Sequence, residues 1–145
     1  MDESRCFRIV VLDSANAPDG NLGTDMPRPR ILIVDDDTNI RSAFNRWFSC
    51  RGFDAHEAKD GVEAVEMCGR GQYDVITLDI EMPRMTGAQA LPIIRKSQPH
   101  VPIVVLTGYA NEAQAISKND VACVLMKPMS LRELEKVVRE LLPEH

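Results

Sequence analysis

Four short apolar runs, each closed by an acid, a hydroxyl or a lysine, limit how this chain can fold more than any other feature. Ile31-Leu32-Ile33-Val34 runs into Asp35-Asp36-Asp37, and Tyr73 to Leu78 runs into Asp79. Val101 to Leu106 ends in Thr107-Gly108, and Val121 to Met126 ends in Lys127-Pro128. Unbroken apolar runs of this length suit strands buried on both faces, as in a parallel sheet. Phe53 to Glu57 reads as a fifth strand, and its polarity suits a sheet edge.

Helical patterns separate the runs. Ile40, Ala43, Phe44, Trp47 and Phe48 recur at i, i+3, i+4, i+7 and i+8, which makes one apolar stripe, and Gly52 stops it. Asp60 to about Gly69 is the second helix. The third follows Gly87 and reaches about Lys96, with Pro92 inside it. A proline there should kink the helix or shorten it from one end. Asn111 to about Ser117 is a short fourth helix. The last opens with Ser130-Leu131-Arg132-Glu133, a capping box, and carries the stripe Leu131, Leu134, Val137, Val138, Leu141.

Five β-α units with short connections predict an α/β fold: a five-stranded parallel sheet covered by five helices. With right-handed crossovers, the natural doubly wound order is 2-1-3-4-5, flavodoxin-like, with its switch point between strands 1 and 3. Residues 1–29 stand apart. Pro18, Gly20, Gly23, Pro27 and Pro29 give them linker composition, so they are expected to form an N-terminal extension to a domain spanning 30–145. Within the extension, Phe7 to Leu12 is strand-like and is assigned no chemistry.

The net charge of −5 comes without any cluster of Lys and Arg, which argues against direct nucleic-acid binding. No stretch approaches the roughly 18 apolar residues of a membrane span. The start, Met-Asp-Glu-Ser-Arg, lacks a signal-peptide pattern. Cys6, Cys50, Cys68 and Cys123 form no C-x-x-C pair and read as reduced thiols of a cytoplasmic protein. His56, His100 and His145 show no ligand spacing.

In open α/β sheets, ligands bind beyond the carboxyl ends of the strands at the switch point. Asp35, Asp36, Asp79, Thr107 and Lys127 should therefore converge on one rim. Crowded carboxylates repel, and a hard divalent cation relieves the repulsion; carboxylates plus water suit Mg²⁺. A carboxylate can also attack phosphorus, with a lysine and a hydroxyl holding phosphoryl oxygens. The set fits phosphoryl transfer to Asp79.

Here the sequence resembles the receiver domains of response regulators. Val34-Asp35-Asp36-Asp37 followed by Arg41 is similar to their opening, and Asp79-Ile80-Glu81-Met82-Pro83 with Gly87 to their phosphoacceptor loop. Val105-Leu106-Thr107-Gly108 and Met126-Lys127-Pro128 are similar to their threonine and lysine segments, and the resemblance covers about residues 30–142. It implies that Asp79 takes a phosphoryl group from a sensor histidine kinase or a histidine phosphotransfer protein. It implies Mg²⁺ held by Asp36, Asp79 and the Glu81 backbone carbonyl, with Asp35 completing the pocket, often through water. Thr107 and Lys127 would hold phosphoryl oxygens. Glu81 and Tyr109 would tune the phosphate lifetime. Readout would lie on the face of the fourth helix, fifth strand and fifth helix, and a homodimer is left open.

Three departures stand out. Val124 occupies the position where the family usually has Tyr or Phe, so no ring can swing there. Met129 follows Lys127-Pro128 where Phe is common. The stretch from Thr107 to Lys127 is about two residues short, with Lys118-Asn119-Asp120-Val121 where a small turn is usual. A phosphate-independent binding module is thus one alternative. An aspartate-nucleophile phosphatase of the haloacid-dehalogenase type is another; Asp35 and Asp37 fit half its signature, but Asn39 breaks it. No effector follows before His145, which leaves a stand-alone regulator, a phosphate relay or sink, or a piece of a longer protein.

Overall fold

The computed structural model describes residues 28–82, 85–116 and 120–143. Most of the N-terminal extension, with Phe7 to Leu12 and Cys6, lies outside them, as do Pro83, Lys118, Asn119 and His145. The order is β1 (Arg30–Val34), α1 (Thr38–Cys50), β2 (Asp54–Ala58), α2 (Gly61–Arg70), β3 (Val75–Asp79), α3 (Gly87–Ser97), β4 (Ile103–Thr107), α4 (Ala110–Ala115), β5 (Cys123–Met126) and α5 (Leu131–Leu141). All neighbouring strands pair in parallel, in the order β2-β1-β3-β4-β5, as the β-α alternation predicts.

Side chains alternate across the pleat, so each strand feeds two cores. Leu32, Val34, Ile76, Leu78, Ile103 and Val105 join Ala64, Cys68, Ala90 and Ile94 of α2 and α3 on one face. Ile31, Ile33, Val75, Val104 and Leu106 join Phe48 of α1 and Leu134 and Val138 of α5 on the other. β1, β3 and β4 are buried almost throughout, which is why their sequences are unbroken apolar runs.

The structure bears on three local expectations. The α1 stripe holds only at Phe44, Trp47 and Phe48; Ile40 and Ala43 are exposed. Pro92 neither ends nor shortens α3. It sits on the exposed side, where the Ala88 carbonyl that loses its partner can be served by water. Strands 3, 4 and 5 begin about two residues later than their apolar runs, since Tyr73 and Val101 are buried in the loops that lead into β3 and β4. The capping box at Ser130 forms as read, with Ser130 Oγ accepting from Glu133 N and the Glu133 carboxylate from Ser130 N.

Candidate functional site

The sheet register assembles the site. Val34 pairs with Leu78 and Asp79 with Leu106, so the residues that follow them, Asp35 and Thr107, flank Asp79 on either side. Thr107 pairs with Met126, which brings Lys127 to the same rim. Carboxylate oxygens of Asp35, Asp36 and Asp79 lie within 4.8 Å of one another. Asp35 and Asp79 are buried, at 2% exposure each, whereas Asp36 is exposed.

Each acid is held differently. Asp35 Oδ1 accepts from Asp37 N at 2.8 Å, while its Oδ2 is buried without a hydrogen-bond partner. Arg41 donates to the Asp35 carbonyl at 2.8 Å and is itself paired with Glu57 at 2.9 Å, so α1 and β2 fix this loop. Asp37 is the N-cap of α1, accepting from Asn39 N and Ile40 N. Asp79 Oδ1 accepts from Lys127 Nζ and from Glu81 N, both at 3.2 Å.

Burial, and then the Asp35 charge, push the Asp79 carboxyl from 3.8 to about 6, against the opposing pull of Lys127 and Glu81 N. Burial also raises Asp35, helped by Asp36 and Asp37. Burial alone would lower Lys127, but Asp79, Asp35 and Glu81 outweigh it and raise its pKa. Three acids share one ammonium, and one buried carboxylate oxygen is orphaned. That donor set fits a hard divalent cation, which would supply the missing positive charge.

Gly87 positions the phosphoacceptor-type loop. A Cβ there would stand 2.5 Å from the Asp79 carbonyl oxygen and 2.7 Å from Ile80 Cα. Only glycine lets the start of α3 approach the loop this closely. Lys127-Pro128 is a cis peptide.

The structure thus brings Asp35, Asp36, Asp79 and Lys127 together, with Thr107 fully buried beside them. The Glu81 side chain turns toward Thr107 and Gly108 instead. Val124 is half-buried against the core. Tyr109 is 61% exposed. Sequence reasoning missed Glu112, whose carboxylate lies 3.2 Å from the Thr107 hydroxyl. Nothing in its spacing marks it, because the contact depends on how α4 packs over β4.

The fold is a doubly wound α/β domain that carries an acidic cluster, a buried hydroxyl and a lysine along one rim of its sheet. Residues 31–139 match the family model described as response regulator receiver domain, and the chain belongs to that family. Response regulator MprA of Mycobacterium leprae is 37% identical over 115 residues, covering 78% of this chain and 50% of that protein. MprA of Mycobacterium avium is 36% identical over the same span. The chain spans about half the length of the curated relatives it matches. Among solved structures, response regulator TrrA of Thermotoga maritima, in complex with Mg²⁺-BeF, is 33% identical with a TM-score of 0.73, covering 79% of this chain and 99% of that one. Vibrio cholerae chemotaxis protein CheY4 is 28% identical with the same TM-score and coverage. The fold and the family place the chain among the receiver domains of two-component signalling.

Proposed function

We propose that the domain takes a phosphoryl group onto Asp79 from a phosphohistidine donor, a sensor histidine kinase or histidine phosphotransfer protein. An Asp79 oxygen attacks phosphorus, the P–N bond to the imidazole breaks, and the nitrogen keeps the electron pair. The buried Asp79 carboxylate, 3.2 Å from Lys127 Nζ and beside the orphaned Asp35 oxygen, carries this reading. Asp36, Asp79 and the Glu81 backbone carbonyl would hold Mg²⁺, with Asp35 completing the pocket. The ion would supply charge neutralisation for the incoming phosphoryl oxygens. Lys127 holds one phosphoryl oxygen as a point charge, and the Thr107 hydroxyl donates to another. Moving Thr107 inward repacks β4 and α4, and the surface of α4, β5 and α5 reports the change. Val124 supplies no ring to this relay.

On this reading the domain signals and is no enzyme on external substrates. The test is intact mass after incubation with acetyl phosphate. The expected result is a gain of one phosphoryl mass that requires Mg²⁺ and disappears in Asp79→Asn. A wild-type chain that stays unmodified, and that binds no beryllofluoride, would leave the phosphate-independent binding module as the better account.

A further inference from the structure

The buried Thr107 hydroxyl is claimed from several sides. Its oxygen accepts from Tyr109 N at 3.1 Å. It has one proton to give. Glu81 Oε2 and Glu112 Oε1 each stand 3.2 Å from it, and the Tyr109 carbonyl is at 3.4 Å. The Glu81 oxygen already accepts from Gly108 N at 2.9 Å. Glu112 Oε1 accepts from no other donor among the described hydrogen bonds, so Glu112 and Glu81 compete for the single hydroxyl proton.

We propose that Glu112 is a positioning residue that competes for the Thr107 hydroxyl proton and holds the domain back from its phosphorylated arrangement. The inference rests on the proposed function, because only there must Thr107 donate to a phosphoryl oxygen. A hydroxyl cannot donate to a carboxylate and to a phosphoryl oxygen at once. Phosphorylation therefore has to break a charge-assisted hydrogen bond before it gains its own. The surroundings allow the release. Glu112 and Glu81 line a cavity of about 460 Å³ together with Ile80, Met82, Thr86 and Ile116. This space adjoins the Glu112 side chain and gives its carboxylate somewhere to move. Glu112 sits on a two-turn helix whose start has no side-chain cap, so α4 itself can adjust.

The test is a double-mutant cycle on the full chain, read as the dissociation constant for beryllofluoride at saturating Mg²⁺ by calorimetry. Thermal melting confirms that each variant is folded. Glu112→Ala should tighten beryllofluoride binding about tenfold, the scale of one hydrogen bond to a charged group. Glu112→Gln should gain less, because its amide oxygen still accepts. In a Thr107→Val background, Glu112→Ala should change the constant by less than about twofold, since there is no proton left to contest. An equal gain in both backgrounds would mean that Glu112 acts by its charge alone, and would overturn the proposal. So would no gain in the wild-type background. If the wild-type chain binds no beryllofluoride at all, the failure belongs to the proposed function instead. Thr107→Ala serves as the background should Thr107→Val not fold.

Discussion

Lys127 is the only cation whose side chain reaches Asp79 among the described residues, and it does so from the end of β5. It faces the raised carboxyls of Asp79 and Asp35, so its removal leaves buried negative charge uncompensated. Lys127→Ala should slow acetyl-phosphate-driven phosphorylation at least tenfold, by about 1.4 kcal/mol or more on the barrier. Lys127→Arg should not restore the rate, because a broad planar guanidinium cannot stand in for a compact ammonium. Single-turnover mass spectrometry measures both. At this scale the sequence was legible where a residue closes an apolar run. Asp35, Asp79, Thr107 and Lys127 were readable because strand ends point one way. The Glu81–Thr107–Glu112 contact was not, since it joins three segments through side-chain rotamers that no spacing encodes.

At the scale of elements, the approach of α3 to the Asp79 loop is set by Gly87 and by the capping box of Thr86 and Gln89. The atoms that a Gly87 side chain would strike belong to the backbone of Asp79 and Ile80, which cannot retreat as a flexible side chain would. Gly87→Ala should therefore destabilise the fold by about 1–3 kcal/mol, the usual range for overpacking, and should slow phosphorylation by displacing the loop. Gly69→Ala is the matched control. It lies in α2 and meets nothing within 4 Å, so it should be neutral or stabilise by up to about 1 kcal/mol. Urea unfolding of the pair separates helix propensity from close approach. The elements were legible for the same reason that their ends were not: burial on both faces writes a strand as a continuous run, but Tyr73 and Val101 are buried too without belonging to a strand. Likewise, periodicity placed Ile40 and Ala43 on the apolar stripe, yet both are exposed, because spacing alone does not say how far along a helix its partners extend.

Over the whole molecule, the site is a place where folding works against itself when no cation is bound. Asp79 titrates near 6 in the folded chain and near 3.8 when exposed, and Asp35 is raised as well. Between these values the folded state keeps a proton that the unfolded state has lost. The contribution is therefore fully present below about pH 4 and lost as pH rises through 6. For Asp79 alone the shift amounts to about 3 kcal/mol. Other ionisable groups add their own pH dependence to the raw stability curve. The difference between Asp79→Asn and wild type removes that background. In chelator, Asp79→Asn should be more stable than wild type by about 2–3 kcal/mol at pH 8, and the gap should close toward pH 4.5. Mg²⁺ at 100 times its dissociation constant should stabilise wild type by about 2.7 kcal/mol at pH 8 and the variant much less. Urea midpoints at the two pH values, with chelator and with Mg²⁺, measure all of this. If the two proteins keep the same gap across the pH range, Asp79 is not the strained group; if Mg²⁺ stabilises both equally, the ion binds away from Asp79.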